Sequence, residues 1–245
     1  MGNGERRIGS GAGGSGAVTG DVSGDVSGAL LFDLDGTLIH SDALHFEVFA
    51  DFFAERGQVI DLDFYNANIH GRSNLDMFPA FFPDADAKAL SDEKEARFRD
   101  RLSGRVPPMP GAEALLERAG KAGWQVGVVT NAPRDNAEHM LRAIGLRDAF
   151  DVLVIGEECA RGKPDPEPYL AAMRALGVPP EVCIAFEDSP SGTRAARASG
   201  AYTVGIRSSA SHDTLRAAGA HTSVHDFTDA GMEDILARLA RKAMS

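Results

Sequence analysis

Ala29-Leu30-Leu31-Phe32-Asp33-Leu34-Asp35-Gly36-Thr37-Leu38 is the stretch whose reading decides the fold. A short apolar run of this kind reads as a buried strand. It ends in two carboxylates two residues apart, and Gly36 then breaks it. In extended backbone, residues i and i+2 share a face. Asp33 and Asp35 therefore point together into the crevice beyond the strand's carboxyl end, where open α/β sheets bind ligands. One carboxylate can act as a nucleophile while the other transfers a proton. Two carboxylates so close repel each other, which makes a cation such as Mg²⁺ their natural partner.

Outward from this stretch, apolar runs alternate with helical patterns. Strands are expected at Leu30 to Asp33, Gln125 to Thr130, Val152 to Ile155, Val182 to Phe186 and Tyr202 to Ile206. Helices are expected at Gly111 to Ala122, Asn136 to Ile144, Pro166 to Leu176 and Ser191 to Ser199. Strands separated by helices of that length imply βαβ units. The fold class is α/β, a Rossmann-like parallel sheet with helices on both faces, and its strands are apolar on both faces as burial demands. Residues 41–107 break the alternation with three aromatic-rich helical patterns, Ala43 to Arg56, Leu75 to Phe82 and Asp84 to Leu102. They read as a helical cap inserted into a core of residues 29–40 and 108–245. Phe46, Phe49, Phe52 and Phe53 are expected to form the core of that cap.

The chain has 245 residues, 43% of them hydrophobic, and a formal net charge of −11. That charge argues against a nucleic-acid backbone or an anionic membrane as partner, and no apolar stretch approaches a membrane span. Residues 1–28 are rich in Gly, Ser and Val and read as a disordered tail without the apolar core of a secretory signal. Cys159 and Cys183 have no metal-type spacing and read as reduced thiols. The expectation is a cytoplasmic monomer, with an organellar site left open.

Two further strand ends and one loop carry chemistry. Thr130-Asn131 places a hydroxyl and an amide where both can donate to phosphate oxygens. In Gly162-Lys163-Pro164-Asp165-Pro166, an ammonium sits in a stiffened segment entering a helix and can neutralise a nucleophilic Asp and a transferring phosphoryl group. Phe186-Glu187-Asp188 delivers two more carboxylates at a strand end, and Mg²⁺ takes one or two carboxylates plus phosphate and water.

Taken together, in order and spacing, these elements resemble the four motifs of the haloacid dehalogenase superfamily, with the cap where one of its subgroups inserts a helical cap. The resemblance implies that Asp33 is a nucleophile that becomes an aspartyl-phosphate. It implies that Asp35 protonates the leaving oxygen and then activates water. Thr130 and Lys163 would hold the phosphoryl group, with Asn131 beside them. Mg²⁺ would be bound by Asp33, Asp188 and the Asp35 backbone carbonyl, with Glu187 completing the set or orienting metal waters.

Within the superfamily, dehalogenases lack an acid at the second Asp and phosphonate-cleaving members differ there, so Asp35 points to phosphate esters. Sugar-phosphate mutases of the β-phosphoglucomutase type resemble the chain in core and cap, and His45 stands where they carry a His. They place an Arg three residues after a Gly, whereas here Arg72 directly follows Gly71. Arg72 and His45 are the candidate cap contacts to substrate, and His70 has no partner by spacing. Thr130-Asn131-Ala132-Pro133-Arg134 and Asp92-Glu93-Lys94-Glu95-Ala96 look like the phosphosugar phosphatases of broad specificity. The reading is a Mg²⁺-dependent phosphatase of small phosphorylated sugars or polyols. A sugar-phosphate mutase, a phosphoglycolate phosphatase and a non-catalytic protein that binds a phosphorylated metabolite are the alternatives.

Overall fold

The structure, a computed structural model, describes residues 28–70 and 72–242. The expected tail lies outside the described residues except for Gly28, and Gly71 lies outside them too. Six parallel strands form one sheet in the order β3-β2-β1-β4-β5-β6. They are β1 (Ala29–Phe32), β2 (Gln125–Thr130), β3 (Val152–Ile155), β4 (Cys183–Glu187), β5 (Tyr202–Ile206) and β6 (Thr222–Val224). After β1 the chain builds β2 and β3 on one side, then crosses to place β4 on the other. The reversal opens a crevice at the carboxyl ends of β1 and β4, where such sheets bind ligands.

The side chains of β1 show why the run had to be apolar throughout. Leu30 and Phe32 point into one core and Ala29 and Leu31 into the other, all with no exposure. Phe32 stacks on Phe186 of the neighbouring β4 with ring centroids 5.1 Å apart. The first core is closed by α5 (Ala112–Ala122), α6 (Arg134–Ala143) and α10 (Met232–Lys242). The second is closed by α7 (Glu167–Leu176) and α8 (Pro190–Ala198). The remaining core helix, α9 (His212–Ala218), leads into β6.

Between β1 and α5 lie α1 (Asp42–Ala54), α2 (Leu62–Asn68), α3 (Asn74–Phe81) and α4 (Ala87–Arg101). They bury an aromatic core of their own, in which Phe49, Phe52, Phe53, Tyr65 and Phe78 are buried and Phe46 packs against them. α4 also packs on α6, so this helical layer touches the core directly.

β2, β3 and β5 have the bounds read from sequence, and β1 and β4 differ from them by one residue at their ends. Among the described residues one strand and three α-helices were not expected, besides two short 3₁₀ helices, Gly156–Glu158 and Pro180–Val182. β6 is a half-polar edge strand of three residues, Thr-Ser-Val, too short to show a period. α2 and α9 have seven residues each, and their polar caps Asp61 and Ser211 start them where no apolar stripe does. α10 is amphipathic, burying Met232, Ile235, Leu236 and Leu239 at helical spacing.

Candidate active site

Asp33 lies one residue beyond β1, where its backbone N–H donates to the Phe186 carbonyl at 3.0 Å and so ties the loop to β4. The chain then turns at Gly36, whose φ of 70° suits glycine. A Cβ there would fall 2.2 Å from Asp188 Oδ2, so only glycine lets the two loops approach this closely. Asp188 follows β4, is buried, and accepts a hydrogen bond from Ser209 Oγ at 2.6 Å. Glu187 ends β4 with no exposure at all.

Lys163 knits these acids together. Its Nζ donates to Asp33 Oδ1, Glu187 Oε1 and the Val129 carbonyl, each at 2.6 Å, which uses all three of its hydrogens. Tyr169 adds its hydroxyl to Glu187 Oε1 at 2.8 Å. Asn131 does not reach across the crevice. Its carboxamide donates to the Lys163 carbonyl at 3.2 Å and accepts from the Lys163 N–H at 3.1 Å, bracing the loop that carries the ammonium. Thr130 is buried at the end of β2, and its Oγ1 accepts from the Ala132 N–H.

Carboxylate oxygens of Asp33, Glu187 and Asp188 lie within 4.8 Å of one another. Among the described residues Lys163 pairs with Asp33 and Glu187 and not with Asp188, so the three acids, if all ionised, outnumber that ammonium by two buried negative charges. Burial drives the Asp33 carboxyl up, Lys163 pulls it back, and Glu187 and Asp35 push it up again, to about 8. Burial, then Asp33 and Glu187, hold Asp188 well above the ordinary carboxylate range. Lys163 is raised despite its burial, because its two acidic partners favour the charged form. Buried carboxylates with no cation to match are costly. An all-oxygen donor set short of two positive charges fits a hard divalent cation.

The site also explains the glycine of α8. A Cβ on Gly192 would fall 1.9 Å from Glu187 Oε1, so either α8 or the carboxylate must move. Gly192→Ala is expected to cost about 1–3 kcal/mol of stability, as overpacking does. It should also impair function by displacing the partner of Lys163. Gly120→Ala, exposed on α5 with nothing within 4 Å, is the control and is expected to be neutral or stabilising. Thermal melts of the two variants distinguish them.

Asp35 turns away from the cluster toward the helical layer. Ser41 Oγ donates to its Oδ1 at 2.6 Å, and His45 Nε2 lies 3.0 Å from the same oxygen. His45 stacks on Phe98 at 4.1 Å between centroids. Its Nδ1 is 3.0 Å from Lys94 Nζ. An ammonium offers no acceptor, so Nδ1 accepts and the ring proton sits on Nε2, facing Asp35. Burial pushes the Asp35 carboxyl up, but the hydrogen bonds from His45 and Ser41 and the Lys94 charge outweigh it and hold it below its usual value.

The sequence reading missed Ser41, Lys94, Glu95, Tyr169 and Ser209. Lys94 sits inside a run of charges that reads as a solvated face, yet it is 3% exposed. One signal marks it: Leu90, Lys94, Phe98 and Leu102 recur every four residues, all buried, so Lys94 occupies a place on the apolar stripe. Arg72 is exposed and donates to the Asn68 carbonyl, apart from the carboxylate cluster. His70, expected to be alone, faces Asp42 Oδ1 at 3.6 Å, which raises its pKa.

Residues 28–200 match the haloacid dehalogenase-like hydrolase family. The chain belongs to that family. This hydrolase is 36% identical over 215 residues to validoxylamine A 7'-phosphate phosphatase of Streptomyces hygroscopicus subsp. limoneus, covering 81% of the chain and 93% of that protein. It is 30% identical over 182 residues to fructose-1-phosphate phosphatase YqaB of Escherichia coli, covering 73% and 95%. Among solved structures it is similar to CbbY of Rhodobacter sphaeroides in complex with xylulose-(1,5)bisphosphate, with a TM-score of 0.72, 30% identity and coverage of 83% and 96%. Among the described residues, no helix of the hydrolase is long and apolar enough to cross a membrane.

Proposed function

We propose that this hydrolase is a Mg²⁺-dependent phosphatase of small phosphorylated sugars or polyols that works through an aspartyl-phosphate on Asp33. The observation that carries the reading is the buried cluster of three carboxylates against one lysine at the mouth of the crevice. The relatives that are phosphatases of phosphorylated sugar-like compounds point to the same substrate class. In this reading residues 29–40 and 108–245 are the core and 41–107 the cap, in keeping with the separate aromatic core of α1–α4.

Asp33, Asp188 and the Asp35 carbonyl would hold Mg²⁺, with Glu187 behind them, although Glu187 Oε1 is already engaged by Lys163 and Tyr169. When bound, the ion supplies positive charge that neutralises the carboxylates and the phosphoryl oxygens. Lys163 aims Asp33: it holds Oδ1, which leaves Oδ2 without a hydrogen bond among the described residues. Oδ2 attacks phosphorus as the ester P–O bond breaks, and Asp35 gives its proton to the departing oxygen. Asp35 then takes a proton from the water that displaces phosphate from Asp33. Asp35 is held ionised in the free site, and an arriving phosphate anion, a like charge, raises its proton affinity. Thr130 would bind the phosphoryl group, and Lys163, its hydrogens held by Asp33, Glu187 and the Val129 carbonyl, would neutralise it by charge, with Asn131 bracing Lys163.

The test is phosphate release from a panel of sugar, polyol and glycolate phosphates, with Mg²⁺ and with EDTA. Release that is lost in EDTA and returns with Mg²⁺ is expected, strongest on sugar or polyol esters. Release that persists in EDTA would reject the metal requirement. Conversion of β-glucose 1-phosphate to glucose 6-phosphate without free phosphate would favour the mutase instead.

A further inference from the structure

Glu95 and Asn136 stand one layer behind Asp35 and make no hydrogen bond to it or to the carboxylate cluster among the described residues. Both are buried. Glu95 is adjacent to Lys94 on α4, and neighbouring residues on a helix do not ordinarily face each other. Yet Lys94 Nζ donates to Glu95 Oε1 at 3.0 Å. The outer partners of Glu95 explain this. Asn74 of α3 donates to Oε1 at 2.6 Å, and Asn136 of α6 donates to Oε2. Arg99 in turn donates to Asn136 Oδ1 and sets the direction of that amide. The carboxylate is drawn across the face of α4 and meets its own neighbour.

A buried ion pair is worth its desolvation only when its geometry is good and its other lone pairs are satisfied. Here they are, and the chain of contacts leads to the chemistry. Lys94 makes His45 Nδ1 an acceptor, which puts the ring proton toward Asp35. α6 begins four residues after Thr130, so Asn136 is tied to the strand proposed to grip phosphate.

We propose that Glu95 and Asn136 are positioning residues for Asp35: Asn136 holds Glu95 against Lys94, and Lys94 holds His45 with its Nε2 proton directed at Asp35. This rests on the reading of Asp35 as the acid that protonates the leaving oxygen.

The test exploits the leaving group. An alkyl ester must have its oxygen protonated, whereas p-nitrophenyl phosphate loses a stable phenolate and needs little help. kcat/KM reports the steps up to departure of the leaving group and excludes the later attack of water. In Asn136→Ala, kcat/KM is expected to fall about ten-fold or more on a sugar phosphate, part of what general acid catalysis supplies, and less than about three-fold on p-nitrophenyl phosphate. Both are measured on one preparation, so a loss of folded protein cancels in their ratio. The double variant Glu95→Gln with Asn136→Asp reverses donor and acceptor while keeping both contacts, and is expected to restore the ratio toward the wild-type value. If the wild type hydrolyses both esters and Asn136→Ala lowers them equally or neither, the inference is overturned and the phosphatase reading stands. A double variant no better than Asn136→Ala also overturns it. A wild type that hydrolyses neither ester fails the phosphatase reading, and the inference falls with it.

Discussion

Asp33→Asn is expected to abolish turnover and, in metal-free buffer, to stabilise the protein at neutral pH. The loss of turnover follows from the loss of the nucleophile and should reach about four orders of magnitude or more, in line with removal of a covalent nucleophile elsewhere. The gain in stability follows from the charge balance of the cluster. Asp33 titrates at about 8 in the folded protein against 3.8 for the ordinary carboxyl. Between those values the folded state keeps a proton that the unfolded state has released. The group's contribution is therefore complete below pH 3.8 and is lost as the pH rises to about 8. Asn carries no such loss, and each pH unit in that window is worth up to about 1.4 kcal/mol. Thermal melts with chelator across the window should show the wild type falling progressively below Asp33→Asn. Added Mg²⁺ should narrow the gap, because a cation that binds only the folded state stabilises it. Parallel melts at every pH would mean that the cluster is not short of positive charge. Residual Mg²⁺-dependent turnover within about ten-fold of the wild type would remove Asp33 from the nucleophile's role.

How much of this was legible in the sequence depends on how local each feature is. Buried parallel strands have to be apolar on both faces, so β1 to β5 stand out from residue type alone, and three of them have the bounds read from the sequence. The acids at the strand ends were legible for the same reason: Asp33, Glu187 and Asp188 each interrupt an apolar run. Their mutual distances, and the lysine joining them across 130 residues of sequence, belong to the topology. Asn131 shows the limit. Its type and place suit a phosphate ligand, but its carboxamide meets the Lys163 backbone because the β3 loop, with Gly156 beside it, brings that segment underneath. Lys94 and Glu95 were hidden more deeply. Their own segment is mostly charged, the stripe of Leu90, Lys94, Phe98 and Leu102 is the one local sign for Lys94, and packing of α4 on α1, α3 and α6 is what buries both residues.

Lys163→Met is expected to damage fold and turnover together, because it removes the one cation that the described structure sets against Asp33 and Glu187. Lys163 and Glu187 are 4% and 0% exposed at the side chain, so no water replaces the ammonium. Removing one partner of a buried pair costs about 3–5 kcal/mol, since the other charge stays behind uncompensated. Against a total stability of about 5–15 kcal/mol, that is a large share, and the thermal midpoint should fall steeply. Turnover should fall as well, by about 10²–10³, the usual cost of removing a group aimed at developing charge. Lys163→Arg should not rescue either property. A planar guanidinium cannot place donors on Asp33, Glu187 and the Val129 carbonyl in the compact arrangement an ammonium allows. The two effects can be separated in the double variant Lys163→Met with Glu187→Gln. Neutralising Glu187 removes the stranded charge while Tyr169 can still donate to the amide oxygen. Its thermal midpoint should recover toward the wild type while its turnover stays low. Recovery of both would mean that Lys163 serves the fold alone, and recovery of neither would mean that Glu187 is not the charge that Lys163 neutralises.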